Sequence, residues 1–303
     1  MRHPLLGPEI KLRRASHHLV ELEQNEKRFF AETACRIAFD TETKPGHKLA
    51  KIVLDATPPE IMHVLAGEII YQLRSSLDQT AVAFARLSRG PTKPKAVYFP
   101  TGDSPRGFLK ACRGLYKPSK KIPFYGGLRH FDHDLRKAIL RTRPYAGGNE
   151  ELRAIFPMAQ IDKHMELIAI GAAGSISLMS DISITGANTG FILSPPGDLN
   201  KGVIFSDLTP TGSITLNNAN AKIEVSGQVN TGDIEPYSNR PLVPLLRSML
   251  EAVIDAHQSF EDLLIRRGDI PPRITYWPSN VECLEDGTIQ RARIVANPNP
   301  IEQ

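Results

Sequence analysis

The chain has 303 residues, of which 41% are hydrophobic and 23% charged, with a net charge of +4. That is ordinary globular composition, long enough for one large domain or two smaller ones, and it excludes a disordered or collagen-like chain. Three cysteines without metal-ligand spacing, and no apolar run of about 18 residues, point to reduced thiols in a cytoplasmic protein with no membrane span or secretory leader.

From Pro8 to about Thr33 the chain reads as a helix, with Leu12, Ala15, Leu19, Leu22 and Phe29 at three- and four-residue steps. Two alternating runs follow, Arg36–Asp40 and Leu49–Asp55. The turn-rich TETKPGHK joins them into a β-hairpin around Pro45-Gly46. The longest helix comes next, from Thr57 to Arg89. Thr57 is placed to cap it, Pro58 to occupy the first position and Glu60 to complete a capping box. Met62, Ala66, Ile69, Ile70, Leu73, Leu77, Ala81 and Phe84 share one arc, which must be buried. Glu68, Gln72, Ser75, Gln79 and Arg86 are expected opposite, in solvent. Gly67, Tyr71, Arg74 and Asp78 lie on the border of the arc, where polar heads are half-buried and need partners.

Beyond a Pro- and Lys-rich connection, a short helix near Ser104-Pro105 carries Phe108, Leu109, Cys112 and Leu115. Another is expected from Leu128 to Arg143, burying Leu128, Phe131, Leu135, Ala138 and Ile139 and exposing Arg129, His133, Arg136 and Arg143. A third starts after Asn149, carries Leu152, Ile155 and Met158, and ends at Asp162-Lys163-His164. From Met165 the period changes to two, and the short segments ELIAIG, SISLM, DISIT, FIL, VIF, SITL and AKIEV, with mostly Ser, Thr and Asn outward, predict separate antiparallel strands. Gly171–Ser175 (GAAGS) reads there as a turn between strands. Pro241 to Ile265 is helical again, and RITYWP with TIQRARIV predicts two edge strands before the tail.

The fold class is therefore α+β: a helical core around a long central helix, an N-terminal β-hairpin, and a C-terminal antiparallel β-rich lobe followed by a returning helix. The expected domains are 1–164, helical and containing the hairpin at 36–55, then a β-rich lobe at 165–237, then 238–303, whose helix packs back on the first.

Three stretches, GEIIYQLRSSLDQTAVAFA, RTRPYAGGNEEL and MAQIDKHMELI, resemble a family of uncharacterised bacterial proteins. Its members carry an LRSxLD segment, then PY, then DKH at a helix end, in the same order. The likeness spans roughly residues 10 to 265 apart from much of the β-rich lobe. It implies a shared fold and site, not a reaction. Relatives often place His one position after the Asp, an Arg-x4-His spacing that resembles, more remotely, the HEPN ribonuclease superfamily. Gln79 stands at that position here.

Two candidate sites emerge. In the first, the helix end Asp162-Lys163-His164 abuts the Arg74/Asp78 seam, with Tyr71 and Tyr145 near by. Arg74 would clamp an anionic group, His164 would act as acid or base and Asp78 would orient it. The plainer alternative is that Asp78 or Asp162 satisfies Arg74 while His164 caps helix carbonyls. The second is the segment Arg106–Arg143, which carries eleven Lys/Arg against two acids, Asp132 and Asp134, for a local charge of +9. Interleaved with Phe108, Tyr116, Phe124, Tyr125 and Phe131, it suits RNA, by counterion release and base stacking. A solvated surface explains the same charges. His130-Phe131-Asp132-His133 lacks chelating geometry, and no phosphate loop, dinucleotide fingerprint or nucleophile elbow occurs, so no metal or cofactor is expected. The expected function is a binding or interaction module for an anionic ligand or partner protein. The alternative is a metal-independent, HEPN-like ribonuclease or RNA-binding protein. A homodimer through the 241–265 helix or a β edge is a further expectation.

Overall fold

A computed structural model describes residues 3–33, 35–40, 47–89, 97–113, 128, 131–164, 170–180, 182–189, 197–199, 201–216, 222–231, 237 and 239–271. The expected Pro45-Gly46 turn, the FIL strand at 191–193 and the tail strands lie outside them. The architecture is α+β, with six helices and seven strands among the described residues. The chain folds into two compact units, one from Met1–Glu21, Leu65–Leu167 and Pro244–Gln303, the other from Leu22–Val64 and Ile168–Val243.

The first unit is helical. It takes the start of α1 (Leu6–Glu32) and most of α2 (Glu60–Arg89), then α3 (Pro105–Arg113), α4 (His133–Thr142), α5 (Glu150–His164) and most of α6 (Leu242–Arg266). All eight residues of the expected stripe on α2 are buried. Its start is two residues later than the capping box predicts. Pro58 precedes Pro59, and the residue before a proline is driven out of the helical region, so helical geometry begins only beyond the pair. Gln72, expected in solvent, is buried, as are Ser76 and Thr80. The Ser76 hydroxyl donates to the Pro8 carbonyl of α1 at 3.1 Å, and Thr80 donates to the Ser76 carbonyl at 3.0 Å. α1 lies so close at this level that a Cβ on Gly7 would come within 2.5 Å of Gln79 Oε1. Farther along, Phe84 of α2 meets Phe260 of α6 edge-on at 5.1 Å and Phe131 at 6.3 Å, closing an aromatic core.

Leu128 and Phe131 are buried as expected but precede α4, because Asp132 caps the helix by accepting the Leu135 N–H at 3.0 Å. On α3, Phe108 and Cys112 are buried, whereas Leu109 is 44% exposed. The Asp132 carboxylate also takes two contacts from Arg267, both at 2.7 Å, and its own N–H donates to the Ser88 hydroxyl at 2.9 Å. One residue thus ties the ends of α2 and α6 to the start of α4. The Arg267 hydrogen bond, foremost, holds the Asp132 carboxyl below the usual carboxylate range. A lowered folded-state pKa contributes stability that is present above the unfolded value, near 4, and lost as pH falls through the folded one. Asp132→Ala should therefore cost about 1–2 kcal/mol near pH 7, chiefly through the lost cap, and less in acid, where protonation of Asp132 removes the charged part of the Arg267 contact from wild type as well. Urea titrations at neutral and at acid pH read the difference.

The second unit holds the strands. β1 (Cys35–Asp40) and β2 (Lys48–Leu54) form the expected hairpin, with Cys35 opposite Leu54 and Asp40 opposite Leu49. β2 then pairs antiparallel with β6 (Val203–Leu216), and β6 with β4 (Ile182–Thr189), giving the order β1-β2-β6-β4. The hairpin therefore shares a sheet with the β-rich segment, and does not belong with the helices as a single 1–164 domain requires. The reason lies in its alternation: Ala50 and Ile52 present an apolar face that Phe205 and Leu208 of β6 complete. The segments VIF and SITL, expected as separate strands, are one strand. Pro210 between them falls where β6 skips register against β4, a place that asks for no ladder N–H.

The second sheet has the order β5-β3-β7, with β3 (Ile170–Ser180), β5 (Gly197–Asp198) and β7 (Lys222–Thr231). GAAGS is not a turn: Gly171 to Ser175 continue β3 and pair from Asn230 to Ser226 of β7. Glycine there serves a flat pairing surface instead of a reversal. The end of α1 contributes Glu26, which accepts the Val229 N–H at 2.7 Å, and Phe30, whose ring occupies the space a Cβ on Gly227 would need. Burial pushes the Glu26 carboxyl up.

Candidate functional site

Within the helical unit, α2 carries Arg74 and Asp78 one turn apart, as the border positions of its stripe require. Arg74 Nε donates to Asp78 Oδ2 at 2.9 Å, and the side chains are 16% and 25% exposed. Asp78 Oδ1 accepts the Phe99 N–H at 2.8 Å, so both carboxylate oxygens are used. Phe156 of α5 covers the Arg74 guanidinium, with Cζ 2.9 Å from the ring centroid. Arg74 Nη1 is buried and has no acceptor among the described residues. Burial pushes the Arg74 guanidinium down to about 10, against the pull of Asp78, and pushes the Asp78 carboxyl up. Desolvation opposes the charged form of each, and their pairing offsets part of that cost.

Beside this pair lies a cavity of about 830 Å³. Its polar edge includes Arg74, Asp78, Gln79, Arg86, Tyr98 and Gln160. Val82, Val97, Ala159 and the prolines of the α1 start, Pro4 and Pro8, supply the apolar wall. Tyr71 and Tyr98 are 54% and 57% exposed, and Lys11 Nζ sits 5.5 Å from the Tyr71 ring centroid. Among the described residues, two guanidiniums and one carboxylate line the cavity, a net of +1. A second cavity of about 830 Å³, along α4 and α6, has five acids and three bases on its walls, a net of −2. An anion favours the first on charge alone.

The sequence brings Tyr71, Arg74 and Asp78 to this place, and α5 does cross it, through Phe156, Ala159 and Gln160. The side chains of Asp162, Lys163 and His164, at the tip of α5, lie outside the described residues, as does Arg129. Tyr145 does not line the cavity. It accepts from Arg143 Nε at 2.9 Å and packs on Phe108 at 5.5 Å, because Arg143, in the left-handed region at φ 49°, turns the chain away after α4. Arg136 spends its guanidinium on the carbonyls of Leu128 and Phe131, both at 3.2 Å. Phe108 and Phe131 are core residues, so neither offers a ring to a base. Not foreseen were Phe99, Tyr98, Phe156 and the α1 start. Each reaches the Arg74–Asp78 pair or the cavity beside it from a distant stretch of chain, and no local spacing signals it.

No group of three or more His, Cys, Asp or Glu able to hold a metal occurs among the described residues. None of the described helices is long and apolar enough to cross a membrane. No protein-family model, curated protein or solved structure matches the chain.

Proposed function

We propose that the helical unit is a binding module whose site is the cavity at Arg74 and Asp78, and that it takes a small organic anion. The observation that carries this reading is a desolvated arginine with an unsatisfied buried N–H beside a cavity of ligand size, about 300–1,000 Å³ being usual for such sites. A binding role is favoured over ribonuclease chemistry. The HEPN-like alternative calls for a histidine beside Arg74, whereas Gln79 stands at that position and the described lining of the cavity holds no histidine.

The test is a thermal-shift titration of the full chain with organic acids and their uncharged amides, repeated on Arg86→Ala. Arg86 is exposed, so its removal leaves the fold intact. Acids should raise the Tm more than amides, and Arg86→Ala should weaken them about threefold or more. Acids and amides acting alike would remove the reading.

A further inference from the structure

Resting on that reading, we infer that the anion is a monocarboxylate on a flat apolar body, not a phosphate ester. The charge of the lining decides the head group. Among the described lining residues Arg74 and Arg86 stand against Asp78, so one negative charge brings that lining to neutrality. A phosphate monoester, nearly a dianion at neutral pH, would overshoot, and its second charge would fall beside a carboxylate already short of water. Two further features point the same way. The cation available to the anion is a guanidinium, Arg74 or Arg86, whose planar fork matches the two oxygens of a carboxylate. The cavity also has no lysine, no nest of glycine amides and no cluster of cations among its described lining, the parts that phosphate sites are built from.

The body of the ligand follows from the walls. Phe156, Tyr71 and Tyr98 bring three rings to a cavity otherwise walled by proline, valine and alanine. Rings and small apolar groups make shallow slots that suit a planar hydrocarbon and reward it little for hydroxyls. Tyr71 and Tyr98, each more than half exposed, would lose that exposure when the slot fills. An extended polyanion would leave those faces without complementary contact. An aromatic monocarboxylate uses both halves of the site at once.

Isothermal titration of the full chain with naphthoate, naphthyl phosphate and naphthamide separates the claims. Naphthoate should bind about tenfold or more tightly than either of the others, and Tyr98→Ala should weaken it about threefold or more. Acetate, which carries the head group without the body, should bind at least tenfold more weakly than naphthoate. If naphthyl phosphate binds as tightly as naphthoate or more so, the monocarboxylate inference falls and the anion site stands. If acetate equals naphthoate, the aromatic body is wrong. If naphthamide equals naphthoate, or none of the four probes binds, the anion site itself is lost along with the inference.

Discussion

Asp78→Ala is expected to destabilise the protein by about 3 kcal/mol, more than the pair it breaks contributes when intact. The substitution leaves the Arg74 guanidinium charged, largely buried and without its carboxylate, and it orphans the Phe99 N–H. Removing one partner of a buried ion pair costs about 3–5 kcal/mol, reduced here because the edge of the pair still touches water. The double variant Arg74→Met, Asp78→Leu makes the argument sharp. It removes both charges together and fills their space, so it should recover the part of the loss that comes from the unpaired guanidinium, while the Phe99 N–H, still without its acceptor, keeps it about 1–2 kcal/mol below wild type. It should bind no anion. The raised Asp78 carboxyl fixes the pH dependence: a group whose folded pKa exceeds its unfolded one makes wild type relatively more stable as pH falls between those values, and the double variant lacks that contribution. Urea midpoints for the three proteins, taken at two pH values, decide. A single variant that costs less than about 1 kcal/mol would mean that water already solvates the pair.

Periodicity makes the central helix legible because burial is a repeating demand. A side chain every three or four residues must leave water, and Met62 through Phe84 obey. The same signal places Arg74 and Asp78 at the border of that stripe, and the one-turn spacing makes them partners. Ser76 and Thr80 are not legible in this way, because a hydroxyl on an apolar face reads as polar, yet each is satisfied by a backbone carbonyl, one of them on α1. Gln72 shows the limit of a two-sided reading: α2 is packed on more than one side. In the strands, glycine and proline read as punctuation. In β3 and β6 they sit within continuous pairing, since a ladder tolerates glycine and a register shift tolerates proline. The companions of Arg74 and Asp78 are illegible for a different reason. Phe99 follows Asp78 by 21 positions and Phe156 lies farther still, so only tertiary packing makes them neighbours.

That long-range assembly makes Phe84 the second position with a large expected effect. Its side chain is fully buried, and it meets two further rings, Phe131 just ahead of α4 and Phe260 in α6. Phe84→Ala removes the whole ring from the point where three stretches of chain converge. A Phe-to-Ala truncation in a core costs about 3–5 kcal/mol, and the two edge-on contacts argue for the upper half of that range. Phe84→Leu keeps most of the volume and should cost about 1–2 kcal/mol. The consequence for the site runs through Phe99. Its ring lies 6.4 Å from that of Phe260, while its backbone N–H holds Asp78. Loss of Phe84 lets Phe260 shift, and the Phe99 amide loses the support that fixes it on Asp78. Phe84→Ala should therefore weaken naphthoate binding about threefold or more in the molecules that remain folded, whereas Phe84→Leu should leave it unchanged. Titration below the melting transition, with amide exchange followed at Phe99, separates the two effects. Full affinity in a destabilised Phe84→Ala would show that α2 alone positions Asp78 and that the aromatic core does no more than hold the helices together.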